Sequence, residues 1–142
     1  MYTISKEFYF EYSHRLNMKY ASACKNLHGH SAKVIITISS DQLNENGMII
    51  DFMHLEPIKL WIDQNLDHSL ILNSLDILCS IPEINNMKTY IIDDDPTSEV
   101  MTKIIWEEVA KILNHLSVNW KEMSVTFYET KKNCATYIHK NA

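Results

Sequence analysis

A chain of 142 residues has the length of one domain, and at that size it buries roughly 70% of its extended surface on folding. With 46% hydrophobic and 22% charged residues, the composition excludes a disordered, collagen-like or low-complexity protein. The net charge is −5 and Arg15 is the only arginine, which argues against a general nucleic-acid binder, since that class wants a basic surface and guanidinium forks. In chain order, Tyr2–Ser13 reads as a strand: Ile4, Phe8, Phe10 and Tyr12 share one parity, Ser5, Glu7, Glu11 and Ser13 the other. Lys33–Ser40, rich in β-branched residues, is a second strand. Asn44–Gly47 is a turn signal. Leu55–Leu66 is a helix, with Leu55, Ile58, Ile62 and Leu66 at helical spacing. Asn73–Asn86 carries no clear pattern, and Met87–Ile92 is a short strand. At Asp95-Pro96-Thr97-Ser98-Glu99 a helix begins: Asp95 can cap, Pro96 suits the first helical position, and Glu99 favours the positive end of the dipole. That helix runs to about Leu116 on an apolar face of Met101, Ile104, Ile105, Val109, Ile112 and Leu113. Met123–Thr130 and Ala135–His139 form a last strand pair across a Lys-Lys-Asn turn. Hairpins at both ends predict an α+β domain, an antiparallel sheet carrying two helices on one face.

Three widely spaced cysteines, Cys24, Cys79 and Cys134, make a disulfide framework improbable and fit a reduced cytoplasmic setting. The opening MYTISKEFYFEY carries charges where a signal peptide would be apolar. The apolar runs, such as Val34–Ile38, fall far short of the ~20 residues that span a bilayer. A soluble protein with no membrane partner is expected.

The densest chemistry lies in Cys24-Lys25-Asn26-Leu27-His28-Gly29-His30. On an extended chain His28 and His30 point to one side, and His14 ends the first strand with the parity of Tyr12 and Phe10. If the first two strands pair through the Arg15–Leu27 loop, three imidazoles converge. Three neutral histidines suit a tetrahedral Zn²⁺ with one open position, as in catalytic sites. A His-x-His pair alone is weak evidence, because ordinary surface or core histidines give the same string. Cys24 reads either as a thiolate beside that site or as a small buried hydrophobe. Asp67-His68 can be an orienting carboxylate and an imidazole for proton transfer, although adjacent side chains do not normally aim at one another. Glu129 continues the Val125/Phe127 parity, so it is either an edge residue in water or an inward acceptor.

Together these strings resemble the 6-pyruvoyl-tetrahydropterin synthase family. The resemblance rests on Phe10-Glu11-Tyr12-Ser13-His14-Arg15-Leu16, Cys24-x-x-x-His28-Gly29-His30, Gly47-Met48-Ile49-Ile50-Asp51-Phe52, Leu66-Asp67-His68, Pro96-Thr97-Ser98-Glu99, and Glu129-Thr130 with Ala135 and Tyr137. Within the family the cysteine spacing looks most like the bacterial 6-carboxytetrahydropterin synthase branch of the queuosine (7-deazaguanine) pathway. Cys24 argues against the variant branch that carries glutamate there. The resemblance implies the T-fold (tunnelling fold), closed by oligomerisation into a barrel, usually a homohexamer built as a dimer of trimers. It implies a small-molecule substrate, 7,8-dihydroneopterin triphosphate, and a Zn²⁺ ion held by His14, His28 and His30. Cys24 matches the catalytic proton acceptor, and Asp67 and His68 match the relay pair. Glu129 matches a pterin-anchoring glutamate also described as part of the relay, and Thr97 and Ser98 fall where the family contacts the pterin ring. The implied products are 6-carboxy-5,6,7,8-tetrahydropterin, acetaldehyde and triphosphate. Triphosphate elimination alone, as in a 6-pyruvoyl-tetrahydropterin synthase, uses the same groups. A non-catalytic metal- or pterin-binding protein would not need Cys24 together with Asp67-His68. Lys19, Lys25, Lys131 and Lys132 are candidate cations for the triphosphate.

Overall fold

The computed structural model describes residues Met1–Ala142. Its frame is a long antiparallel hairpin of β1 (Tyr2–His14) and β2 (His28–Ser40). Partners run from Tyr2↔Ser40 to His14↔His28 without a bulge. β2 starts five residues before the expected Lys33, so the whole His28-Gly29-His30 string is strand. Facing residues in a ladder share a side of the sheet. Phe8, Phe10 and Tyr12 therefore lie with Val34, Ala32 and His30 on one buried face. β5 (Glu122–Tyr128) extends that face, seating Met123, Val125 and Phe127 against Ile38, Ile36 and Val34. β6 (Cys134–Lys140) pairs with β5 and ends that side of the sheet.

The other side corrects the expectation of a purely antiparallel sheet. After helix α1 (Glu56–Asn65) the chain enters β3 (Ser69–Asn73), which runs parallel to β1. β4 (Thr89–Ile92) runs parallel to β3, giving the order β4-β3-β1-β2-β5-β6. β3 runs opposite to β2, which precedes it, and so lies parallel to β1; between β3 and β4 the long connection over residues 74–88 brings the chain back in the same direction, as parallel pairing requires. β3 escaped detection because Leu70, Ile71 and Leu72 are all buried, and a strand covered on both faces shows no alternation. The segment without clear pattern contains a 3-10 turn, Ile77–Ser80, and a one-turn helix α2, Pro82–Asn85.

Two long helices cover the apolar face. α1 buries Ile58 and Ile62, and α3 (Ser98–His115) buries Met101, Ile105, Val109 and Leu113. The Trp106 indole N–H donates to the Met123 carbonyl at 3.0 Å and ties α3 to β5. α3 is capped by Thr97, whose hydroxyl accepts from Val100 N–H at 3.2 Å, and not by Asp95. The helix begins two residues downstream of the expected start, because Thr97 takes the Val100 N–H while Asp95 accepts from Asn17 and Asn73 instead. Phe127 is fully buried and meets the rings of Phe10 and Tyr12 at 5.9 Å. Phe127→Ala should cost about 3–5 kcal/mol, read as a lowered urea midpoint with unchanged slope.

Candidate metal centre

The hairpin register builds a three-histidine cluster at the open end of the apolar face. His14 faces His28 directly, and His30 lies opposite Tyr12 one step inward. A Cβ on Gly29 would come within 3.3 Å of the Tyr12 carbonyl, so a glycine between the histidines lets the two strands stay close. One ring nitrogen from each histidine lies within 4.8 Å of the others. His14 is fully buried, and its Nδ1 lies 2.8 Å from the Pro96 carbonyl. His28 Nδ1 lies 2.7 Å from the Asn26 carbonyl. A carbonyl only accepts, so both Nδ1 atoms carry the proton and both Nε2 atoms present a lone pair. Those two Nε2 atoms are 3.1 Å apart. In neutral rings no hydrogen lies between them, so the lone pairs repel unless a cation sits there. His30 Nε2 is buried with no hydrogen-bond partner. A tetrahedral ion with nitrogen ligands at ~2.0–2.1 Å separates them by about 3.3 Å, close to the observed spacing. The donor set fits a divalent metal ion.

Burial keeps His14 and His30 unprotonated near neutrality. Burial pushes His14 down to about 4, against the upward pull of the Pro96 carbonyl. Burial also lowers His30, opposed by the Glu129 carboxylate. Glu129 follows β5 on the parity of Phe127. Its Oε1 lies 3.4 Å from Nε2 of both His14 and His30. Tyr12 packs its ring against His14 and His30 at 5.1 and 5.6 Å. Its hydroxyl is buried without a partner, and burial followed by the Glu129 charge raises its pKa, keeping the proton on.

The remaining expected residues are distributed around this cluster. Cys24 sits half-buried in a 3-10 turn, Ala23–Lys25, within the loop that closes the hairpin. Its carbonyl accepts from Leu16 N–H at 2.9 Å, two residues beyond His14. Thr97 and Ser98 begin α3 beside the Pro96 carbonyl that holds His14, and the Thr97 hydroxyl is engaged as the cap. Asp67 and His68 do aim at each other, at 2.9 Å between Oδ2 and Nδ1. The left-handed backbone of His68, φ 58°, folds its ring back onto its neighbour. Asp67 also accepts from Glu11 N–H at 2.9 Å. That bond, then the imidazole, hold its carboxyl below the usual range. No hydrogen bond or ion pair joins this dyad to the three histidines. His68 lines a shallow recess with Glu11, Tyr12, Ser13 and Lys88, and its side chain is 77% exposed. The largest cleft of the chain, about 680 Å³, is lined by Gln42, Asn44, Ile49 and Asn119 among others and by none of these residues. Arg15, Asp76 and the Pro96 carbonyl were not foreseen as parts of the surroundings, since a main-chain acceptor leaves no mark in a sequence.

The sequence model of the 6-pyruvoyl tetrahydropterin synthase family matches residues 3–140. The chain belongs to this family. Among its relatives, the Aquifex aeolicus 6-carboxy-5,6,7,8-tetrahydropterin synthase is 30% identical over 94% of this chain and 96% of its own length. The Rickettsia conorii protein of the same name is 34% identical, over 88% and 91%. Among solved structures, an uncharacterized protein of Wolinella succinogenes superposes with a TM-score of 0.82 at 28% identity, over 96% and 97% of the two chains. A Plasmodium vivax 6-pyruvoyltetrahydropterin synthase shares the fold at TM-score 0.79 and 20% identity, over 99% and 98%. The mixed six-stranded sheet with few helices is thus the family's T-fold. No helix is long and apolar enough to cross a membrane.

A histidine that titrates at 6.5 unfolded and about 4 folded leaves the unfolded chain binding more protons between those values. Stability of the metal-free protein should therefore be level above pH ~6.5 and fall as the pH drops towards 4, by about 2 kcal/mol at pH 5 from His14. Urea midpoints at pH 7 and pH 5 should differ clearly in the wild type and less in His14→Gln.

Proposed function

We propose that this protein is a zinc-dependent carbon–carbon lyase that converts 7,8-dihydroneopterin triphosphate and one water to 6-carboxy-5,6,7,8-tetrahydropterin, acetaldehyde and triphosphate. It would do so in the cytoplasm, within queuosine (7-deazaguanine) synthesis. The observation that carries the reading is the convergence of two carbonyl-oriented Nε2 lone pairs and an unpartnered third beside a carboxylate. Relatives over nearly the whole chain bear the name of this synthase. His14, His28 and His30 would hold the zinc, which supplies Lewis acidity to the side-chain oxygens of the substrate. Cys24, as thiolate, takes a carbon- or hydroxyl-bound proton from the substrate side chain. His68, oriented by Asp67, returns a proton. Triphosphate leaves by elimination, the C2′ proton and the C3′–O bond being lost and the enol becoming a ketone with a C3′ methyl; the C–H and O–H protons of C1′ move to the ring, which becomes the tetrahydropterin as C1′ becomes a carbonyl, and the water then cleaves the C1′–C2′ bond to give the 6-carboxylate and acetaldehyde. Glu129 accepts the paired N–H donors of the pterin edge, with Thr97 and Ser98 beside it. Lys19, Lys25, Lys131 and Lys132, all exposed, are the candidate cations for the triphosphate.

No hydrogen bond or ion pair joins the dyad to the histidine cluster within one chain, and the dyad of one copy would serve the cluster of another. Strands β4 and β6 leave unpaired edges through which copies can join. A homohexamer built as a dimer of trimers satisfies both needs.

Incubation with dihydroneopterin triphosphate should yield acetaldehyde and the 6-carboxy product by mass spectrometry. A 6-pyruvoyl product would point instead to the elimination-only enzyme, and zinc without turnover to a binding protein. Metal analysis should find about one zinc per chain, lost in His28→Ala and His30→Ala. Cys24→Ala should keep fold and zinc while its rate falls ~10²–10⁴-fold. Cys79→Ala and Cys134→Ala should stay active.

A second set of variants addresses the pterin. Glu129→Ala should weaken pterin binding strongly and leave zinc content intact. Glu129→Gln should recover little, because an amide offers one acceptor where the ring edge needs two. Pterin fluorescence titration of the zinc-loaded variants measures this directly.

A further inference from the structure

The chain leaving β1 makes a second polar cluster behind the metal centre. Arg15 turns away from the histidines and donates Nε and Nη2 to the two oxygens of Asp76, at 2.7 and 2.5 Å. The Asp76 side chain is fully buried and also accepts from Leu78 N–H and the Asn17 amide. Asn17 N–H in turn donates to Asp95 Oδ2 at 2.9 Å, and the Asn73 amide donates to Asp95 Oδ1 at 3.0 Å. Asp95 precedes Pro96, whose carbonyl receives the His14 Nδ1 proton at 2.8 Å. The circuit is closed: the backbone leaves His14, is clasped through Arg15 and Asn17 to Asp76 and Asp95, and returns through Pro96 to the His14 ring.

Stability alone does not explain this arrangement. A buried ion pair pays a desolvation penalty that hydrophobic replacements avoid, and these groups hold loops, not core. Metal-bound histidines depend on the acceptor at their second nitrogen for tautomer and ring orientation, and loss of such support costs 10–100-fold in affinity. Pro96 has no N–H of its own, so the aim of its carbonyl is set by its neighbours, with Asp95 anchored by two donors on one side.

We propose that the Arg15–Asp76 and Asn17–Asp95 clasp is a positioning device for His14, and that Asp95 sets metal affinity through the Pro96 carbonyl. This rests on the reading of His14, His28 and His30 as the metal site. Zinc dissociation constants of the metal-free protein, measured by chelator competition, test it together with the visible spectrum of the Co²⁺ form. Asp95→Ala should weaken zinc by about 10–100-fold and shift the Co²⁺ bands. Asp95→Asn, which keeps one acceptor oxygen for the Asn17 N–H and loses the one that meets Asn73, should fall between wild type and Asp95→Ala. Val109→Ala, a core change in α3, should lower stability and leave zinc affinity unchanged. The proposal is overturned if Asp95→Ala binds zinc within twofold of wild type, or if Val109→Ala loses as much. If Asp95→Ala does not fold, Asn73→Ala decides in its place: weaker zinc supports the clasp and unchanged zinc refutes it. A wild type that binds no zinc overturns the metal reading itself, whereas tight wild-type binding with unaffected variants overturns the clasp alone.

Discussion

The pairing of β1 with β2 is the constraint on which everything else rests. Thirteen consecutive pairs run from Tyr2↔Ser40 to His14↔His28. Side-chain direction has a period of two, so a slip of one residue would turn His28 and His30 to the uncovered face while His14 stayed inside. The same slip would expose Ala32, Val34, Ile36 and Ile38. The apolar pattern of the core and the chemistry of the site are therefore specified by one register. The core residues of β5 and the helices that cover them inherit it through β2. Burial of four aliphatic side chains on β2 thus supplies the free energy that keeps three imidazoles facing one another.

That placement sets the histidines at the edge of a low-dielectric region. Tyr12 and Phe127 form an aromatic floor beneath the rings, which limits their rotamers and removes water from their inner side. Burial favours the neutral form of His14 and His30, and neutral imidazoles are what a metal requires. The dyad has the reverse surroundings. His68 is largely exposed and pairs only with Asp67. The chain thus carries a dry cluster and a wet dyad, with no hydrogen bond or ion pair between them.

Alternating strands and amphipathic helices were legible in the sequence because each has one wet side. Tyr2–His14, Glu122–Tyr128 and Ser98–His115 follow that rule. β3 was not legible, since Leu70, Ile71 and Leu72 are covered on both faces, and with it the parallel half of the sheet was lost. Asp95 shows a different limit. Its position before Pro96 suggested a cap, yet Thr97 takes that role, because helix start signals overlap within a few residues and tertiary partners choose among them. The three histidines were readable from parity alone. The pairing of Asp67 with His68 was not, because it depends on a left-handed backbone at a non-glycine residue, held by the His68 N–H bond to the Glu11 carbonyl.

Glu129 is where the two kinds of constraint meet. Its parity follows from the buried face of β5, so the strand that packs Phe127 into the core must also deliver a carboxylate to the histidines. In the metal-free chain that carboxylate lies 3.4 Å from two rings that burial keeps largely neutral, and the nearby Tyr12 hydroxyl is held protonated. The carboxylate keeps 24% of its side-chain surface exposed, so it stands where the dry floor of the histidine cluster meets solvent. The continuous core beneath it, from Phe10 through Tyr12 to Phe127, fixes it in that position.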